Sequence, residues 1–323
     1  MTLPVSPEGS PVHDIVLDAA GIPISALLAE PRQTPPRATV VAVHGGGMSA
    51  GYFDSRARPG YSLLALGAQL GYTVLAVDRP GYGHSALHLP DGQAVHDQAA
   101  TLHAALAHFA ARHDTGAGLF LLAHSNGGKL ALAAAARGDS ALLGLDISGL
   151  GSRLAVERHQ LPGPDGRGDW RRHWGALRLY PPDAFRLSGA LVRPVPLEEA
   201  REGPLWPELY PDIAARVPVP VRFTFAEHER WWRFDEEAVA ALKEPLAAPR
   251  VTVDIQPDAG HNISLGWAAR TYHLRALGFL EECLLARDAA PPGRGTQPPG
   301  PAPLSRGPAV TVRTRSLAKG RQT

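Results

Sequence analysis

The sequence predicts an α/β fold in which a mostly parallel sheet carries helices on both faces. Two observations carry this expectation. Short β-branched apolar runs such as "ATVVAV" and "YTVLAV" have the signature of strands buried on both sides. These runs alternate with stretches whose apolar residues recur at helical spacing, and alternating β and α elements imply parallel strands joined by crossover helices.

Eight strands are expected. "VHDIVLDAA" and "IPISALLAE" flank Gly21 and read as a hairpin at one edge. "ATVVAVHGGG" is a buried parallel strand ending in three glycines, and "YSLLALGAQLG" is a helix closed by Gly71. "YTVLAVDRPGYG" is the next strand and its turn, followed by the long helical pattern "DQAATLHAALAHFAARHD". "GLFLLAHS" is a strand, "NGGKLALAAAARG" its helix, and "ALLGLDISGLG" another strand. Residues 152–216 break the rhythm with prolines, arginines and Trp170, Trp174 and Trp206, and are read as an inserted cap. The alternation resumes with the strand "VPVRFTFAEHE", a helix near "DEEAVAALKEPL", the strand "RVTVDIQPDAGH" and a last amphipathic helix, "WAARTYHLRALGFLEECLL". The core is thus expected over 10–151 and 217–286. The Pro/Gly-rich segment 287–323 is expected to be a disordered tail.

Composition narrows the function. With 323 residues, 44% of them hydrophobic, the chain can bury a sizeable core. The net charge of +1 argues against a nucleic-acid or membrane-surface partner and leaves a small-molecule substrate as the expectation. The balance is uneven: 287–323 hold seven Lys or Arg against one Asp, so the rest is mildly acidic. One cysteine, Cys283, permits no intrachain disulfide and no cysteine-based metal site, which fits a cytoplasmic location. "MTLPVSPEGSPVHD" has no basic start followed by an apolar run, so no signal peptide is expected. No apolar stretch approaches the ~20 residues that span a bilayer. Oligomeric state cannot be read from the sequence.

In open α/β sheets, ligands bind beyond the carboxyl ends of the strands. Ser125 stands there, at a strand-to-helix junction, with Ala123 before it and Gly127 and Gly128 after it. Small neighbours permit a tight turn that lifts the hydroxyl above the sheet, onto a helix N-terminus that favours developing negative charge. The same serine could instead simply cap the helix.

"AHSNGG" resembles the nucleophile elbow of the α/β-hydrolase superfamily, with Ala123 where the first glycine is usual, and the resemblance extends over roughly residues 10–286. "DRPGYGHS" resembles that family's strand-four turn. The resemblance implies an eight-stranded α/β-hydrolase fold and a serine hydrolase acting through an acyl-enzyme on an ester, thioester or amide of a small substrate, and the cap with Trp231 and Trp232 suggests that this substrate is apolar. It implies Ser125 as nucleophile and His261, in "IQPDAGHNISLG" after the last strand, as general base. It implies an acid after the preceding strand: Glu229, with Glu227 as rival and Asp235 as a more distant one. It also implies an oxyanion hole made by the N–H groups of Asn126 and of Gly46 or Gly47. No metal or organic cofactor is required.

Asp146 lies inside a strand and is read as structural. Among the other histidines, His124, His228, His44 and the pair His103/His108 are read as structural or pocket-lining, His124 being assigned to the pocket, and no zinc-type cluster is evident. Tyr52, Phe53, Trp231 and Trp232 are candidate pocket walls that could equally pack cap against core. Two other classes stay open: a type II thioesterase-like editor, acyltransferase or lyase on the same scaffold, and a non-catalytic ligand-binding protein that kept only the fold.

Overall fold

The computed structural model describes residues 11–32, 35–163 and 170–289. Eight strands, β1 (His13–Ala19), β2 (Ile22–Ala29), β3 (Thr39–Val43), β4 (Thr73–Val77), β5 (Leu119–His124), β6 (Leu142–Ser148), β7 (Val221–Ala226) and β8 (Val251–Gln256), form one sheet. Its order is β1-β2-β4-β3-β5-β6-β7-β8. The expected edge hairpin is present: β1 and β2 pair antiparallel, as do β2 and β4. All other neighbours are parallel.

The strand period of two divides the core. Val41 and Val43 of β3 and Leu121 and Ala123 of β5 join one apolar cluster, while Val40, Ala42, Phe120 and Leu122 join the other. On the first side pack α2 (Val95–Ala110) and α3 (Asn126–Ala135), through residues such as Leu102, Phe109 and Leu130. On the second pack α1 (Leu63–Gln69) and a long helix at 269–289, through Leu63, Leu66, Tyr272 and Leu280. α1 is capped at its start by Ser62, whose hydroxyl accepts the N–H of Ala65 at 3.1 Å.

The described residues of 152–216 carry four α-helices: α4 (Trp170–Trp174), α5 (Pro182–Ser188), α6 (Leu197–Glu202) and α7 (Trp206–Ala214). α7 is rooted in the main core, since Trp206, Tyr210, Ile213 and Ala214 belong to the same cluster as α3. An isolated bridge between Leu154 and Trp232 ties the start of the insertion to the loop after β7. α8 (Glu236–Lys243) follows β7, capped by Asp235, and α9 (Ala269–Ala289) ends the described chain. Of the expected tail, residues 290–323 lie outside the described residues. No described helix is long and apolar enough to cross a membrane.

Asp146 on β6 is wholly buried and accepts hydrogen bonds from Arg222 of β7 (2.6 Å) and Tyr272 of α9 (2.8 Å). Arg222 also holds Asp254 of β8 at 2.7 Å. This ion pair crosses three strands and a helix in the body of the sheet, consistent with a structural role.

Candidate active site

The topology brings four loops to one rim. β3 and β5 are neighbours, so the glycines after β3 lie beside the turn after β5, and the loops after β7 and β8 close the row. Ser125 occupies the turn between β5 and α3 with φ 52° and ψ −120°. That is a region L-residues rarely enter, at a cost of roughly 1–3 kcal/mol. Two features hold it there. The Ser125 N–H donates to the carbonyl of Ser148 at 2.8 Å. Gly127 lets the helix press against β3, where a Cβ would stand 2.3 Å from the Val43 carbonyl oxygen and 2.5 Å from that of His44.

His261 is 3% exposed and lies five residues beyond the end of β8. Its Nε2 is 3.3 Å from Ser125 Oγ, and its Nδ1 is 2.8 and 3.1 Å from the two carboxylate oxygens of Glu229. Three side chains from separate loops therefore form one continuous hydrogen-bonded row. Glu229 Oε1 also accepts the N–H groups of Arg230 and Trp231, each at 2.9 Å. Burial alone would push this carboxyl up, but the imidazole and the two N–H groups outweigh it and hold Glu229 below the ordinary carboxylate value. The other acids are engaged elsewhere. Glu227 accepts the N–H of Asp258 at 2.8 Å, and Asp235 caps α8 while pairing with Arg233.

His44 and His124 frame the row. The Nδ1–H of His44 donates to Gly45 O (2.8 Å), and its Nε2 accepts the N–H of Arg79 (3.0 Å), so the ring is a neutral brace for the glycine loop. Burial first, then neighbouring positive charge, pushes it well below the usual imidazole value. His124 is likewise pushed down by burial, with His261 and His173 adding to the effect, and lies 3.0 Å from Ser148 Oγ.

The two glycines offered as oxyanion donors differ. The Gly47 N–H donates to the Tyr82 hydroxyl at 3.1 Å, whereas the Gly46 N–H meets no acceptor among the described residues. Of the pair, Gly46 is the one able to join Asn126, whose N–H begins α3. A Cβ at Gly46 would collide with the Asn126 side-chain amide (2.7 Å) and with Glu199 (2.9 Å).

Ser125 opens into a cavity of about 280 Å³. His124, Trp231 and Trp232 line it, together with His173 and Trp174 from the insertion. Tyr52 and Phe53 do not. Both are completely buried, Tyr52 stacked on His124 at 4.8 Å and Phe53 set edge-on against Tyr52 at 5.0 Å. They support the floor from behind. Their position just past the glycines puts them on a 3₁₀ turn at 50–53 that faces the core, so their assignment to the pocket is corrected.

Two groups at the site escaped the sequence reading. Glu199 of α6 accepts hydrogen bonds from Asn126 Nδ2 (2.7 Å), Arg79 Nη2 (2.8 Å) and the Tyr82 hydroxyl (3.1 Å). Burial pushes its carboxyl up, but Arg79 and Asn126 outweigh this and leave it below the ordinary value. Lys129 of α3 borders the same cavity. Lys129 could have been found, because it lies one helical turn after Ser125. Glu199 is 73 residues from Asn126 in an irregular segment and carries no local signal.

A sequence profile of the alpha/beta hydrolase family matches residues 40–273. The chain belongs to the alpha/beta hydrolase family, and its eight-stranded, mostly parallel sheet is the one expected for that fold. Among solved structures it is similar to a proline iminopeptidase of Mycobacterium smegmatis, with 20% identity, a TM-score of 0.59, and coverage of 85% of this chain and 100% of the other. An esterase of Mycobacterium tuberculosis matches at 20% identity and TM-score 0.60, over 85% and 92% of the two chains. A monoacylglycerol lipase of Paleococcus ferrophilus matches at 20% and 0.60, over 80% and 99%. No curated protein sequence matches the chain.

Proposed function

We propose that the protein is a serine hydrolase that cleaves an ester, thioester or amide of a small substrate through an acyl-enzyme. The observation that carries this reading is the row Ser125–His261–Glu229, closed at 3.3 and 2.8 Å. His261 Nε2 takes the hydroxyl proton as Ser125 Oγ attacks the substrate carbonyl. Glu229 accepts from Nδ1–H, which fixes the tautomer and favours the imidazolium that forms. The tetrahedral oxyanion receives the N–H groups of Gly46 and Asn126, each such donor supplying about 3 kcal/mol. The imidazolium then protonates the leaving group. Water, deprotonated by His261, releases the acyl group and restores the serine.

The neighbouring folds include an esterase, a lipase and an iminopeptidase, which agrees with acyl transfer to water but does not choose the bond. The indole walls of the cavity favour an apolar segment in the substrate, and its volume suits a small one. A cytoplasmic enzyme acting without a macromolecular partner remains part of this reading.

The test is a fluorophosphonate probe together with p-nitrophenyl esters and acyl-CoA thioesters. Labelling at Ser125 and turnover that falls about 10⁶-fold in Ser125→Ala, with an unchanged fold, are expected. Full activity in Ser125→Ala would refute the mechanism. Absence of labelling would return the chain to the class of non-catalytic binders.

A further inference from the structure

Three charged side chains that the mechanism leaves unused line this cavity: Glu199, paired with Arg79 and Asn126; Arg193, which donates to the carbonyls of Ala190 and Val192; and Lys129. Lys129 lies four residues into α3 from Ser125, so its Cα is about 6 Å farther along the helix axis. Side chains on a helix lean toward its N-terminus, which carries the lysine stem back toward the serine. Lys129 lines the cavity that holds Ser125 and also a narrow side recess walled by Arg79, Glu199, Glu202 and Trp206.

The ammonium has no hydrogen-bond or ion-pair partner among the described residues. The carboxylates near it are committed elsewhere: Glu199 to Arg79, Asn126 and Tyr82, and Glu202 to the N–H of Val95 at 2.8 Å. Nζ is instead held between two indoles, 5.6 Å from the Trp206 ring centre and 5.8 Å from that of Trp232. Cation–π contacts of this kind position a charge while leaving its N–H donors open. Burial, opposed by Glu199 and Glu202 and reinforced by Arg79, lowers the ammonium to about 8, so it stays mostly charged near neutrality. Lys129 is half-buried, and its ammonium borders the cavity beside the nucleophile without a bound anion, a place that an acidic group on a substrate can take.

We propose that Lys129 anchors a carboxylate on the substrate, so that the compound bound here has an apolar body against the indoles and an acidic group about one helical turn from the bond attacked. Only the position of that bond rests on the hydrolase reading; the anion site itself does not.

The experiment therefore measures binding in Ser125→Ala protein by calorimetry, with two matched pairs. The mono-4-nitrophenyl ester of adipic acid against 4-nitrophenyl hexanoate places the carboxylate on the acyl side. 4-Acetoxybenzoate against p-tolyl acetate places it on the leaving group. The acidic member of at least one pair is expected to bind about tenfold tighter or more, the usual effect of a charge-assisted hydrogen bond. Lys129→Met should remove that preference and Lys129→Arg should keep it, with melting temperatures confirming that both variants fold. The proposal is overturned if neither pair shows a preference, if the acidic members do not bind measurably, or if the preference survives in Lys129→Met. Turnover by the Lys129-intact, Ser125-intact enzyme is read separately. Selective binding with neither turnover nor fluorophosphonate labelling of Ser125 would sink the hydrolase reading and leave the anion site standing, and turnover without selectivity would do the reverse.

Discussion

At the scale of single residues, the site turns on what each side chain is free to do. Glu229 is the clearest case. Two backbone N–H groups fix one of its oxygens while both oxygens face His261 Nδ1. Glu229→Gln preserves the shape but can present an N–H to the imidazole, which then favours the wrong tautomer. We expect kcat to fall about 10³–10⁴-fold, with circular dichroism unchanged. Steady-state kinetics on a p-nitrophenyl ester would check this, and a loss under tenfold would remove Glu229 from the mechanism. Glu229 is offered by the family resemblance, three residues after Ala226 at the end of an apolar strand, with Glu227 beside it as the rival that the sequence alone does not separate. Tyr52 and Phe53 were misread for a related reason: aromatic residues after a glycine loop can face outward or inward, and the sequence around them does not tell which.

At the scale of elements, the decisive contact is between α3 and β3. Position 127 has backbone carbonyl oxygens 2.3 and 2.5 Å from where a Cβ would stand, and backbone cannot step aside as a side chain can. Gly127→Ala must push α3 away from the sheet, at a cost of about 1–3 kcal/mol. Because α3 begins at the residue after Ser125, the hydroxyl would move with it. A lower unfolding midpoint in urea together with a reduced kcat is expected, and an unchanged midpoint would show that the helix has slack. The strands and helices themselves were readable, since β-branched runs and helical periodicity report burial directly. The helices of the insertion were not, since they are short, proline-bounded and set by what they lie against.

At the scale of the whole molecule, the insertion and the sheet are joined by a buried set of charges. Glu199 of α6 meets Arg79 from the turn after β4 and Asn126 from the turn after β5. Removing one member leaves the other charge buried and alone, which typically costs about 3–5 kcal/mol. The folded Glu199 carboxyl titrates below its unfolded value, so its stabilisation is complete above pH ~4.3 and fades as pH falls through the folded value. Glu199→Gln should therefore lower stability at neutral pH and flatten the acid limb of a stability–pH curve. Urea unfolding at neutral and acidic pH would reveal it, and parallel curves for the two proteins would refute it. The same turn, "DRPGYG", seemed only a mark of the fold when read as sequence, because the partner of its arginine is more than a hundred residues away.

The tie from Glu199 to the amide beside the nucleophile also bears on how such proteins can be recombined. A chimera that swaps residues 152–216 for the corresponding segment of another scaffold would import new pocket walls and delete the carboxylate that steadies Asn126. Donor segments that bring an acid to that spot should yield working hybrids, whereas those that do not would strand Arg79 in a dry interior.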